Sequence, residues 1–158
     1  MSPNEARPPS RTPVVTSRPP PAALMRLVNP LMRVAIRSRW GRHFGPLAVL
    51  RVQGRRTGNS REFVAGVHSV DGIPTVFTDR PWRVNFKGGV DVVVMNSGTE
   101  RPARATLVEE PGEVGPALAA AVQEAGARNL GVAVAKGAHP TSADFAAVGR
   151  SMIRITYV

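Results

Sequence analysis

Residues 91–99 read Asp91-Val92-Val93-Val94-Met95-Asn96-Ser97-Gly98-Thr99, and this stretch decides between a helical protein and a sheet protein. Consecutive valines are stiff at χ1 and suit a pleated backbone better than a helix. A short apolar run closed by a turn signal reads as a buried strand, here Asp91 to Asn96. Ser97-Gly98-Thr99 then reverses the chain into a second strand over Arg101 to Glu109. Upstream, Leu47 to Gln53, Arg61 to Val70 and Pro74 to Thr78 show the same strand character, and Asp71-Gly72 is a hairpin signal between the last two. Downstream, residues 114–127 read as an alanine-rich helix with Gly126 near its end, and 142–148 as a short helix opened by Thr141 or Ser142. The chain closes on Met152 to Val158. There Ile153, Ile155 and Tyr157 alternate with Arg154 and Thr156, the period of a strand with one buried face. The pattern predicts a mainly β, α+β domain. About six mostly antiparallel strands with flanking helices form a small closed or half-open barrel.

Ahead of these strands the character changes twice. Residues 1–21 hold seven prolines and few large apolar side chains, and read as a disordered Pro/Arg-rich tail. Residues 22–40 are helical in pattern. Leu24, Leu27, Val28, Leu31 and Ala35 share one spacing, with Arg26, Arg33 and Arg37 on another face. Asn29-Pro30 has the form of a helix start, so one kinked helix or two short ones are expected. The domain is thus 22–158. An amphipathic basic helix can pack on a core with its arginines in water, which is the favoured reading, or lie on an anionic bilayer.

Charge and composition narrow the chemistry. The 158 residues carry a formal net charge of +10. From Ala6 to Arg61 there are twelve arginines and no acid, whereas from Glu62 onward nine basic residues face ten acidic ones. Such an asymmetry calls for an anionic partner: a phosphorylated ligand, an anionic membrane or a nucleic acid. Only 5% of the residues are aromatic, which weighs against a stacking platform for single strands. With no cysteine, thiolate catalysis and cysteine-bound metals are excluded. His43, His68 and His139 lack metal-ligand spacing, so no metal site is expected. No run of about 18 apolar residues and no leader-like start is present, so a cytoplasmic protein is expected, with peripheral contact on the inner face of the membrane as an option.

Two constellations stand out. The first is Gly54-Arg55-Arg56-Thr57-Gly58, with Arg61 beyond it, between two strands. Bracketing glycines permit a tight turn whose amides point at an anion, and arginines supply bidentate contacts to phosphate or carboxylate. The second is Asp79-Arg80-Pro81-Trp82-Arg83-Val84-Asn85-Phe86-Lys87, a short helix with Asp79 as its expected cap and with Trp82 and Phe86 on one face.

In this order the Asn-Pro helix, the Gly-Arg-Arg-Thr-Gly turn with its arginine, the hairpin, Trp-x-x-Asn and the valine-rich strand resemble the deazaflavin-dependent nitroreductase family of actinobacteria. The likeness spans about Asn29 to Glu109 and, loosely, the closing strand. It implies a split β-barrel, often a homodimer, that binds coenzyme F420, a deazaflavin with a phosphate and an oligoglutamate tail. It implies hydride transfer from the reduced cofactor to a quinone, nitro compound or activated alkene, with the cofactor carrying the reaction. The cofactor-binding positions it implies are Arg55, Arg56, Thr57, Gly58 and Arg61 at the anionic tail, the backbone around Thr78 to Arg80 near the ring, and Trp82 and Asn85; no catalytic side chain is assigned. The interval Thr78-Asp79-Arg80-Pro81 is shorter than the family's loop, and Arg80 stands where a lysine is usual. The alternative is a diverged barrel that takes FMN or a fatty-acyl ligand.

Overall fold

The computed structural model describes residues 12–18, 22–53 and 57–158, the side chains of 22–29 and 44 apart. In chain order its elements are β1 (Val15–Ser17), α1 (Ala22–Arg37), a 3₁₀ helix (Arg39–Phe44), β2 (Leu47–Gln53), β3 (Ser60–Gly66), β4 (His68–Val70) and β5 (Ile73–Thr78). A second 3₁₀ helix (Pro81–Phe86) leads into β6 (Val90–Asn96) and β7 (Thr99–Val108), followed by α2 (Pro111–Ala125), β8 (Val132–Val134), α3 (Ser142–Ala146) and β9 (Ser151–Tyr157).

Two-residue turns build the sheet. Asp71 and Gly72, at φ 51° and 78°, join β4 to β5, and Ser97 and Gly98, at 53° and 76°, join β6 to β7. Two successive positive φ values make the turn whose twist matches the flanking strands, which is why glycine occupies the second position. Seven strands then pair in the order β3-β2-β6-β7-β9-β5-β4, every ladder antiparallel. The two edge strands, β3 and β4, are separated in the chain by Val67 alone. A flat seven-stranded sheet cannot hold its two edges one residue apart, so the sheet curls until they meet. The Val67 N–H donates to the Pro46 carbonyl at 2.8 Å beside that junction. Away from it β3 and β5 face each other without a ladder, and the barrel is split along that side.

Alternation along each strand sorts the side chains. Leu50, Val52, Ala65, Val76, Val92, Val94, Ala103, Ala105, Ile153 and Ile155 point into the half-barrel around Phe86. On the outer face α1 lays Ile36 against Val49 and Met95. Elsewhere on the outside α2 and α3 set Val114, Leu118 and Phe145 against Val70 and Met152. The hydrophobic effect on both faces of one sheet therefore gives three clusters rather than one.

Several expectations are corrected. The sheet has seven strands rather than about six, because the strand expected over Arg61 to Val70 breaks at Val67 into β3 and β4. The boundary after residue 21 falls too late. Val15–Ser17 pairs with β8, Val15 is buried, and the Arg150 guanidinium donates to Ser17 Oγ at 3.1 Å and to the Gly131 carbonyl at 2.7 Å. Strands of three residues lie below what periodicity can register, and the partner is more than a hundred residues away. The rest of the expected tail, 1–11 and 19–21, lies outside the described residues. Pro30 sits inside α1 rather than starting it. The Ala22-Ala23-Leu24-Met25-Arg26-Leu27 run before it has high helix propensity, which extends the helix across the proline. The N-cap of the second 3₁₀ helix is Arg80, not Asp79, and Arg80 N–H donates to Thr78 Oγ1 at 3.1 Å.

Candidate functional site

The connection from β5 to β6 skips two strands of the sheet, since β9 and β7 lie between them. The second 3₁₀ helix makes that crossing and so covers one end of the half-barrel, in contact with β7 and β9. Its sequence suits the task. Pro81 starts it, and Trp82 and Phe86 turn inward with ring centroids 5.8 Å apart. Phe63 of β3 stacks on Trp82 at 4.9 Å and 14° between planes, and meets Phe86 edge-on at 6.0 Å. Three aromatic rings thus bridge the split side between β3 and the cap, in offset and edge-to-face contacts that favour this arrangement over loose packing.

This end gathers most of the positions expected from sequence. Arg61 is on β3, two residues before Phe63, hence on the same strand face and directed along the same side. It is exposed, and its side chain has no hydrogen-bond or ion-pair partner among the described residues. Thr57 and Gly58 precede it. Gly58 has φ +66°, a conformation glycine adopts freely, and the Asn59 N–H donates to Thr57 Oγ1 at 3.4 Å. Arg55 and Arg56 lie outside the described residues. Thr78, buried, closes β5 at the same end and anchors the Arg80 backbone. The Arg80 side chain is half-exposed, with Nε 4.0 Å from the Asp79 carboxylate.

Two expected site residues are engaged locally. The Asn85 Nδ2 donates to the Trp82 carbonyl at 2.7 Å, inside its own helical turn. Trp82 is partly buried, and its ring packs on Phe63 and Phe86 against the core. The other cations of the cap are paired with an acid: Glu109 lies 3.5 Å from both Arg83 Nε and Lys87 Nζ. Among the described residues this leaves Arg61, and Arg80 with its 4.0 Å contact to Asp79, as cations able to meet an anion here.

A separate groove lies outside the barrel. It has a volume of about 540 Å³ between α2, β8 and α3, with Ala119, Val122, Val134 and Phe145 as apolar walls and His139 and Thr141 among its polar ones. Nothing in the sequence pointed to it, because its walls come from three elements that are each unremarkable alone. His68 turns with Val70 toward α2; burial lowers its pKa from 6.5, partly opposed by the charge of Glu124. Among the described residues no group of histidine and acidic side chains could hold a metal ion. No helix among them is long and apolar enough to cross a membrane.

No protein-family model matches the chain, and no curated protein matches its sequence. Among solved structures, the chain is similar to the FAD and heme binding protein from Mycobacterium smegmatis. The identity is 15% and the TM-score 0.44, over 92% of this chain and 69% of that one.

Proposed function

We propose that this protein is a redox protein that binds an anionic deazaflavin or flavin at the capped end of its half-barrel, coenzyme F420 in the first instance and FMN as the alternative. The observation that carries the reading is Arg61: a guanidinium without a partner among the described residues, directed along the same strand face as the aromatic cap and following a glycine-bracketed basic stretch of sequence. Among the described residues, Glu109 pairs the cap cations Arg83 and Lys87, whereas no acid pairs the Arg61 guanidinium, which suits phosphate or carboxylate from outside. In this reading Arg61, Arg80, Thr57 and the Gly58 amide hold the anionic part together with Arg55 and Arg56. The Phe63–Trp82 pair supplies the apolar wall beside it. The bound group would supply hydride chemistry toward an organic acceptor; the chain's own contribution is charge complementarity and a fixed wall.

The test is calorimetric titration of the protein with F420 and with FMN at low and moderate salt. Micromolar or tighter binding is expected, weakened about tenfold or more by Arg61→Ala, as the loss of one charge-assisted hydrogen bond requires. Absence of binding by both compounds overturns the reading. The groove between α2 and α3, apolar on its walls, favours the second reading of an amphipathic acyl ligand. Fatty-acyl binding that survives Arg61→Ala identifies that case.

A further inference from the structure

Among the described residues, six large apolar side chains are exposed, and three of them fall within ten residues: Leu31 at 76%, Val34 at 68% and Trp40 at 64%. α1 has already spent its inward face. Ile36 is fully buried, and Met32 packs beside it on the outside of the sheet. Leu31 and Val34, one turn apart on the other side of the helix, are not covered by any of the described residues. The following 3₁₀ helix adds Trp40, with the His43 ring 6.0 Å away, and the exposed Arg39 and Arg42. Neither arginine makes an ion pair among the described residues. The neighbouring acid, Glu62, is held by Arg37 and Arg51.

We propose that the solvent face of α1 and the first 3₁₀ helix is a docking surface for an anionic lipid bilayer. Charge and apolarity together choose this occupant. A second copy of the chain, packed across a two-fold axis, would set Arg39 and Arg42 against their own images, which like-charge repulsion disfavours. A nucleic acid would satisfy the arginines but leave Leu31 and Val34 in water. The bilayer interface takes all of them. Apolar side chains enter the acyl boundary, tryptophan sits at headgroup depth, and arginines meet lipid phosphates. The helix lies in the interface plane and does not span it. Strand alternation places this surface on the opposite side of β3 from Arg61 and Phe63, because Glu62 and Val64 face α1. The docking surface therefore stands independently of the cofactor reading.

The experiment is flotation of the full chain with vesicles of phosphatidylcholine alone and of phosphatidylcholine with about a quarter phosphatidylglycerol. The protein is expected to float with the anionic vesicles and to remain behind with the neutral ones. Leu31→Ser combined with Trp40→Ser should lower the partition coefficient about tenfold or more, since each buries apolar area only at the bilayer. Arg39→Gln with Arg42→Gln should act likewise and flatten the salt dependence. All four side chains are exposed, so the variants should keep the parent's circular-dichroism melt. Tryptophan emission should shift to the blue on binding in the parent and not in Trp40→Phe, where Trp82 remains as the internal reference. Failure to float overturns the proposal. So does partition that the variants leave unchanged, since the attraction would then reside elsewhere in the basic segment. A concentration-dependent dimer that the same substitutions abolish overturns it in favour of a second copy.

Discussion

His68 shows how a single residue's role depends on which side of a strand it faces. On β4 it turns with Val70 toward α2 and is buried, and burial lowers its pKa from 6.5 because the charged form loses water. The unfolded chain therefore takes up a proton near 6.5 where the folded one does not, so stability is full above that pH and falls as the pH drops below it. Denaturant midpoints measured at about pH 7.5 and about pH 5.5 should show this loss in the parent and a smaller one in His68→Asn. An identical loss in both would place the effect on other groups. Arg61 makes the complementary point. Its type and its neighbours in sequence suggested an anion contact, and the fold adds that no acid among the described residues pairs with it. Asn85 was grouped with it on sequence, yet its amide closes its own turn.

At the scale of elements, α2 and α3 meet at a close joint. A Cβ on Gly115 would lie 2.4 Å from the Ser142 carbonyl oxygen and 3.0 Å from Ala146 Cβ. Both neighbours are held, one by the Thr141–Asp144 capping box and the other by the packing of Phe145. Gly115→Ala should therefore force the helices apart and destabilise by about 1–3 kcal/mol, despite alanine's better helix propensity. Thermal melts decide it, and a gain in stability would show that α3 shifts freely. The elements themselves were largely legible. Leu47–Gln53 was read with its observed bounds, and β5, β6, β9 and α3 were read within a residue or two at each end. Their alternation and turn residues act locally. β1 and β8 escaped notice because three-residue strands exist only through each other.

For the whole molecule, the clearest consequence is that residues 12–18 belong to the fold. Val15 is buried in the cluster under α2, and Arg150 ties Ser17 to the Leu130 and Gly131 carbonyls. A chain begun at residue 22 should be less stable than one begun at residue 12 by about 1.5–3 kcal/mol, the value of one fully buried aliphatic side chain. Denaturant titration of the two tests this, and equal midpoints would show that β1 adds nothing. The sequence alone determined that this is a mainly antiparallel β protein with an excess of arginine at its front, because periodicity, turn residues and charge are properties of neighbours along the chain. Only the tertiary structure decided that the edge strands meet at Val67 and that the Trp82 turn caps the end carrying Arg61. It also left Leu31, Val34 and Trp40 facing water. These are relations between residues tens of positions apart, and the burial that sets them is shared by the whole sheet.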